Sequence, residues 1–337
     1  MIIKLTFLHT FSLAWTSIPH FDLVKTLLAN VKKTFVLTKA RRARYLLFLS
    51  RNGVQNPTNV PLSVATRWNS WFKMAFYVDD HYQHLRNFYL EEQKKDSNET
   101  IEKLVKIFND TTNNGCIQIY LFFIKIYAQK FINDLNFFQQ ENLPLFPYIE
   151  GRLEQLEIYI NNGMSMEHFD ESLITLIQSL NFAPESFYPI FRSAFDEAFK
   201  KFSDHILNNP CRIFFKAVQI FNPKFITLTS NRDILFYSTF IIEFASASFD
   251  LIQEWVIYCN FDLSLIEYSN LEEFWKKVSH NHLPLLSQIA LNYIWIPISS
   301  YSVECSFSVY NNILGEDREN LSQDSLRMLN TLYFNRN

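Results

Sequence analysis

Asp79, Asp80, His81 and His84 place four metal-binding side chains within six residues of a stretch that reads as helix. Neighbours three and four apart share a helix face, so this spacing is compatible with metal ligation. No second cluster completes such a site, and the same residues also fit a solvated helical face. A second concentration is one of charge. No acidic residue occurs between Asp22 and Asp79, while Lys25, Lys32, Lys33, Lys39, Arg41, Arg42, Arg44, Arg51, Arg67 and Lys73 accumulate. Such a block can face phosphates in a sequence-independent, salt-sensitive way. Lys32, Lys33, Lys39, Arg41, Arg42, Arg44, Arg67 and the aromatic Trp68 are its candidate DNA contacts. The block can equally be a basic helix pair balanced by acidic faces elsewhere in the fold. The formal net charge is −3, so bulk charge does not mark a nucleic-acid binder. Cys116, Cys211, Cys259 and Cys305 are far apart, with no C-x-x-C and no zinc-finger spacing. They read as free thiols in a reducing compartment, and no metal site is expected.

The elements that must position these residues are read from periodicity. Hydrophobic residues make up 48% of the 337 and charged residues 19%, enough for a globular core. Phe 34 against Gly 5 favours long packed helices over a turn-rich sandwich. Phe21, Val24, Leu27, Leu28 and Val31 recur at helical spacing, followed by an apolar cluster from Tyr45 to Leu49. Gly53, Pro57 and Asn59 break the stretch from Arg51 to Pro61. Leu62 to Thr66 reads as one short strand, after which Arg67-Trp68-Asn69-Ser70-Trp71 opens another helix. From Phe72 to Asn270 nearly everything scans as helix. Ile149, Leu153, Leu156 and Ile160 form one stripe, with Gly163 as its stop, and Phe191, Phe195, Phe199, Phe202 and Ile206 form another. These aromatic stripes read as core. Near the end, Ser322 is a candidate N-cap with a Leu321–Leu326 staple, and Leu326, Leu329, Leu332 and Tyr333 make an apolar stripe. No uncharged apolar run of about 18 residues is present, so no membrane partner is expected. His9, Thr10 and Ser12 interrupt the first apolar run, which is not expected to be a secretion signal.

Four segments, in order, carry a resemblance. Leu8-His9-Thr10-Phe11-Ser12-Leu13 looks like an A-H-T-L-N-L segment, and Thr66-Arg67-Trp68-Asn69-Ser70 looks like a T-R-W-N-S motif. Ile220-Phe221-Asn222-Pro223-Lys224-Phe225 is similar to an L-D-P-R motif, with Asn222 where Asp is usual. Finally, Leu283-Pro284-Leu285-Leu286-Ser287 leads through Ile296-Pro297-Ile298-Ser299-Ser300 to Ser302-Val303-Glu304-Cys305-Ser306-Phe307-Ser308. Together these resemble hAT-superfamily DNA transposases, and the last quarter resembles their C-terminal dimerisation region.

The resemblance implies a mainly α fold: a large helical insertion domain plus a truncated RNase H-like α/β remnant. The expected domains are 1–71 for the remnant, 72–270 for the helical insertion and 271–337 for the dimerisation region. Family enzymes use two Asp and one Glu, and Glu304 falls where the Glu lies. Both Asp positions lie at or before the segment around His9, and Met1 stands just upstream of it. The chain is therefore expected to lack both, and Glu304 to be an orphan carboxylate. One carboxylate cannot hold a Mg²⁺ pair against water, so no cofactor is expected unless the missing Asp are supplied. Thr6 replaces a usual Cys, and Cys305 replaces the Arg that normally follows the Glu. The expected function is that of a non-enzymatic, nuclear, transposase-derived protein acting through dimerisation. Its partner would be a second copy or a related hAT-family protein. Leu285, Leu286, Ile289, Leu326, Leu329, Leu332 and Tyr333 are the candidate seam. The alternatives are a nuclear factor binding duplex DNA through residues 25–73, or a fragment of an active hAT transposase.

Overall fold

The computed structural model describes residues 14–15, 18–36, 38–64, 69–140, 142–229, 231–298 and five positions between 322 and 328. It is mainly helical, and no strand occurs among the described residues. The chain divides into two compact units. One holds residues 6–136 and 151–212; the other holds 1–5, 137–150 and 213–337.

In the first unit, α1 (Asp22–Phe35), α2 (Lys39–Arg51), α3 (Ser70–Asp80), α4 (Tyr82–Lys95) and α5 (Glu99–Asn109) pack on one another. Their starts follow local chemistry: Asn98 accepts the backbone N–H groups of Thr100 and Ile101 at the head of α5. The stripe Phe21, Val24, Leu27, Leu28 and Val31 is buried as its spacing demands. The long α6 (Thr111–Phe138) carries few charges and is apolar nearly all round, the pattern of a helix enclosed by others. It is followed in the chain by α7 (Ile149–Met164), α8 (Glu171–Ser179) and α9 (Tyr188–Phe202). At the centre sits Trp15. Its ring lies 5.4 to 6.3 Å from those of Phe21, Phe72, Phe123, Phe131 and Phe195, and its indole N–H donates to the Ala194 carbonyl at 2.8 Å. Edge-to-face and offset ring pairs add roughly 0.5–1.5 kcal/mol each beyond the area they bury.

The second unit is built from α10 (Arg212–Val218, from Ile213 onward), α11 (Pro223–Ile226), α12 (Phe249–Cys259), α13 (Leu271–Asn281) and α14 (Pro284–Ile294). α14 packs most extensively on α13 and also on α12 and the 3₁₀ turn Gln219–Phe221. Phe221, Phe244, Trp255, Tyr258, Phe274 and Trp275 form its aromatic core.

Two expectations are altered. Pro61 to Val64 is irregular rather than a strand; Val64 exchanges two backbone bonds with the Ser70 hydroxyl, both at 2.9 Å, instead of pairing with a sheet neighbour. Gly163 does not stop its helix, which continues to Met164; a Cβ there would fall 2.3 Å from the Phe195 ring. α1 packs on α3 and α5 on either side of residue 71.

Candidate functional site

The last described helices are joined by a carboxylate. Glu254 on α12 is buried, and its two oxygens accept the backbone N–H groups of Leu285 at 3.2 Å and Leu286 at 2.7 Å. These open the first turn of α14, where Leu283 supplies no side-chain cap and Pro284 has no N–H to satisfy. A helix start carries unsatisfied donors and partial positive charge, so an anion fixed there satisfies two donors and complements the dipole.

Two more bonds anchor the turn Gln219–Phe221. The Tyr258 hydroxyl donates to the Ile220 carbonyl at 2.6 Å, and the Trp275 indole N–H donates to that of Phe221 at 3.0 Å. Both side chains are fully buried with ring centroids 5.0 Å apart, and burial pushes the Tyr258 pKa up so that its O–H stays a donor. The next residue, Asn222, caps α11 by accepting the Lys224 N–H at 3.1 Å, with Pro223 as the first helical residue. Asn and Asp serve equally well as N-caps, so Asn where Asp is usual leaves this local structure intact.

Of the expected seam, Leu286 is fully buried in its own unit, on the inner face of α14 with Ala290 and Ile294. It cannot meet another chain while that unit is closed, and so it is a core residue. Ile289 is half-buried and Leu285 exposed. Leu326, Leu329, Leu332, Tyr333 and Glu304 lie outside the described residues.

The basic block is largely committed inside the first unit. Arg41 is only 5% exposed; it donates to Glu92 at 3.2 Å, to Asp96 at 2.9 Å and to the Thr34 carbonyl at 3.1 Å. Arg44 places a two-pronged fork on the Glu92 carboxylate at 2.7 and 2.6 Å. Arg42 donates to the Phe35 and Val36 carbonyls, satisfying acceptors that the end of α1 leaves open. Burial alone would raise the Glu92 pKa, but the hydrogen bonds from Arg44 and Arg41 outweigh it and hold the carboxyl below its ordinary value. These arginines therefore clamp α2 to α4 and cap α1; their side chains do not stand free to meet a phosphate. Glu92 and Asp96 are the balancing acidic face, about fifty residues away in sequence. Lys33 and Lys39 are exposed, Lys32 is half-buried, and Arg67 and Trp68 lie outside the described residues.

The Asp79–His84 cluster is likewise engaged. Both Asp79, at 2.9 Å, and Asp80 hold the ammonium of Lys125, so a side-chain cation stands against the two carboxylates. Burial raises the Asp79 pKa, against the pull of Lys125. The His81 ring stacks on Tyr77 with centroids 4.1 Å apart and donates through Nδ1 to the Tyr77 carbonyl. Among the described residues, no group of three or more side chains could hold a metal ion. No described helix is long and apolar enough to cross a membrane.

Residues 258–335 match the hAT family C-terminal dimerisation region. No curated protein matches the chain. The match supports a link to transposase-related proteins and to dimerisation through this region. It bears out the resemblance of the last quarter of the chain to the hAT dimerisation region. The matched region takes in the end of α12 with α13 and α14. Its first residue, Tyr258, packs on Trp275 and shares with it the anchoring of the 219–221 turn.

Proposed function

We propose that these 337 residues act by association, pairing with a second copy or with a related hAT-family protein, and do not cut DNA by themselves. The match across residues 258–335 carries this reading. In its support, the described part of that region belongs to a compact helical unit fastened by Glu254, Tyr258 and Trp275. Against catalysis stands the requirement of two-metal chemistry for several converging carboxylates. Glu304 is the one carboxylate that falls on a catalytic position of the family, and Asp79 and Asp80 are engaged with Lys125. Mg²⁺ would enter only with carboxylates supplied from outside these residues. The nucleus is the compartment the family implies.

Light scattering on the purified chain tests the reading. The expected mass is twice the 40.1 kDa of one chain. A clean monomer at tens of micromolar would overturn it, and Mg²⁺-dependent strand cleavage that disappears in Glu304→Gln would restore an enzyme. The exposed Lys33 and Lys39, with the half-buried Lys32, leave one opening for duplex DNA: binding that falls steeply with salt and is lost on joint replacement of the three by Ala would move the function there.

A further inference from the structure

Three of the five glycines follow an asparagine: Asn52-Gly53, Asn114-Gly115 and Asn162-Gly163. Such a dipeptide can react with itself. Glycine has no side chain to shield its backbone nitrogen, and its conformational freedom lets that nitrogen reach the asparagine side chain. The three pairs share this chemistry, and the fold separates them.

Two of the pairs are held. Asn114 lies inside α6 with its side chain tied at both ends: Nδ2 donates to the Phe108 carbonyl and Oδ1 accepts from Gln118, each at 2.6 Å. Asn162 is exposed in the last turn of α7, but its glycine is buried beneath the Phe195 ring, which a Cβ would meet at 2.3 Å. Phe195 is itself fully buried, so the Gly163 peptide has no room to turn. Asn52-Gly53 is placed differently. It directly follows α2, and both residues are exposed. Apart from its chain neighbours, no heavy atom among the described residues lies within 4 Å of where a Cβ on Gly53 would be. Gly53 takes φ +81°, the left-handed stop of a helix; the Val54 N–H donates to the Leu49 carbonyl at 3.1 Å and the Gly53 N–H to that of Ser50 at 3.2 Å. These two end-turn bonds resist rotation of the Gly53 peptide, and helix ends open at little free-energy cost.

We propose that Asn52 is a self-modification site, the asparagine at which the folded chain deamidates first. The Gly53 nitrogen attacks Cγ of Asn52: the N–Cγ bond forms, the Cγ–Nδ2 bond breaks, and Nδ2 leaves as ammonia carrying the Gly53 proton. Water then opens the cyclic imide at either carbonyl, giving aspartate or its backbone-lengthened isomer, and no oxidant or reductant takes part. The product loosens the end of α2. Asn52 Nδ2 donates to the Phe48 carbonyl at 2.8 Å, whereas a carboxylate only accepts and stands against the negative end of the helix dipole. It also sets an acidic group in the stretch between Asp22 and Asp79, which otherwise has none.

The purified full chain, incubated native and in urea at mildly alkaline pH, tests this by mass spectrometry of the peptides around residues 52, 114 and 162. In the native chain Asn52 should convert about tenfold or more faster than Asn114 and Asn162, and in urea the three rates should come together. Native rates that do not favour Asn52 overturn the proposal. An equal preference in urea also overturns it, because the cause would then be sequence neighbours rather than the fold. Asn52→Asp supplies one product in pure form, and its amides at 52–54 should exchange with solvent faster than those of the parent. Unchanged exchange overturns the loosening of α2.

Discussion

Gly163 shows how one missing methyl group can serve packing rather than a turn. It lies next to the last residue of α7, where glycine is usually a stop signal. A Cβ there would meet Phe195 at 2.3 Å. Phe195 is itself fully buried against Trp15, Phe123, Tyr127 and Tyr159 and has nowhere to retreat. Gly163→Ala should therefore lower stability by about 1–3 kcal/mol, although in an open helix the same change gains about 1 kcal/mol. Gly115 provides the contrast: its Cβ would press on the outer edge of Phe182, a half-exposed ring free to swing aside. Gly115→Ala should be neutral or stabilising. Thermal melts of the two variants side by side test whether their signs differ.

Among the elements, the clamp between α2 and α4 has the clearest energetic signature. Glu92 is buried beneath two guanidinium groups, so Glu92→Gln should cost about 3 kcal/mol, near the low end for a broken buried pair because Asp96 and the Thr34 carbonyl still hold Arg41. The pH dependence follows from the lowered Glu92 pKa. Its stabilisation is complete above the pKa of the unfolded carboxyl and is lost as pH falls through the lower folded value. Melting temperature of the parent should thus drop on acidification below about pH 4.5, the ordinary glutamate value, and the Gln variant should drop less. A parallel pH dependence would contradict this assignment. The clamp also shows what was legible in the sequence. Stripes such as Ile149, Leu153, Leu156 and Ile160, or Phe191, Phe195 and Phe202, announced buried faces because helical period is a local property. The run of basic residues was equally visible, but its partner Glu92 lies 51 residues beyond Arg41, and only tertiary packing brings the two together. Glu254 escaped notice for the same reason, since the N–H groups it accepts belong to a helix about thirty residues further on. At 62–64, a Leu-Ser-Val alternation that suits a strand is irregular, and the Ser70 hydroxyl takes up the Val64 backbone groups.

At the scale of the whole molecule, each unit has its own aromatic core, and the seam residues expected at 326–333 lie outside the described chain. Association should nevertheless register in stability. If the folded chain pairs and the unfolded chain does not, melting temperature rises with protein concentration. Melts across a hundredfold range of concentration should shift upward in the parent and stay fixed in any variant that separates the copies. The division of the chain carries a different consequence, at Trp15. Its ring is enclosed by residues as distant as Phe195, and its N–H waits for the carbonyl of Ala194, 179 positions later. At roughly 5–20 residues per second, a ribosome needs roughly 10–35 s to deliver that partner. Throughout that interval the growing chain carries an unsatisfied tryptophan, with the rest of its shell still arriving. The first unit is thus a structure whose centre is made well before it can be closed.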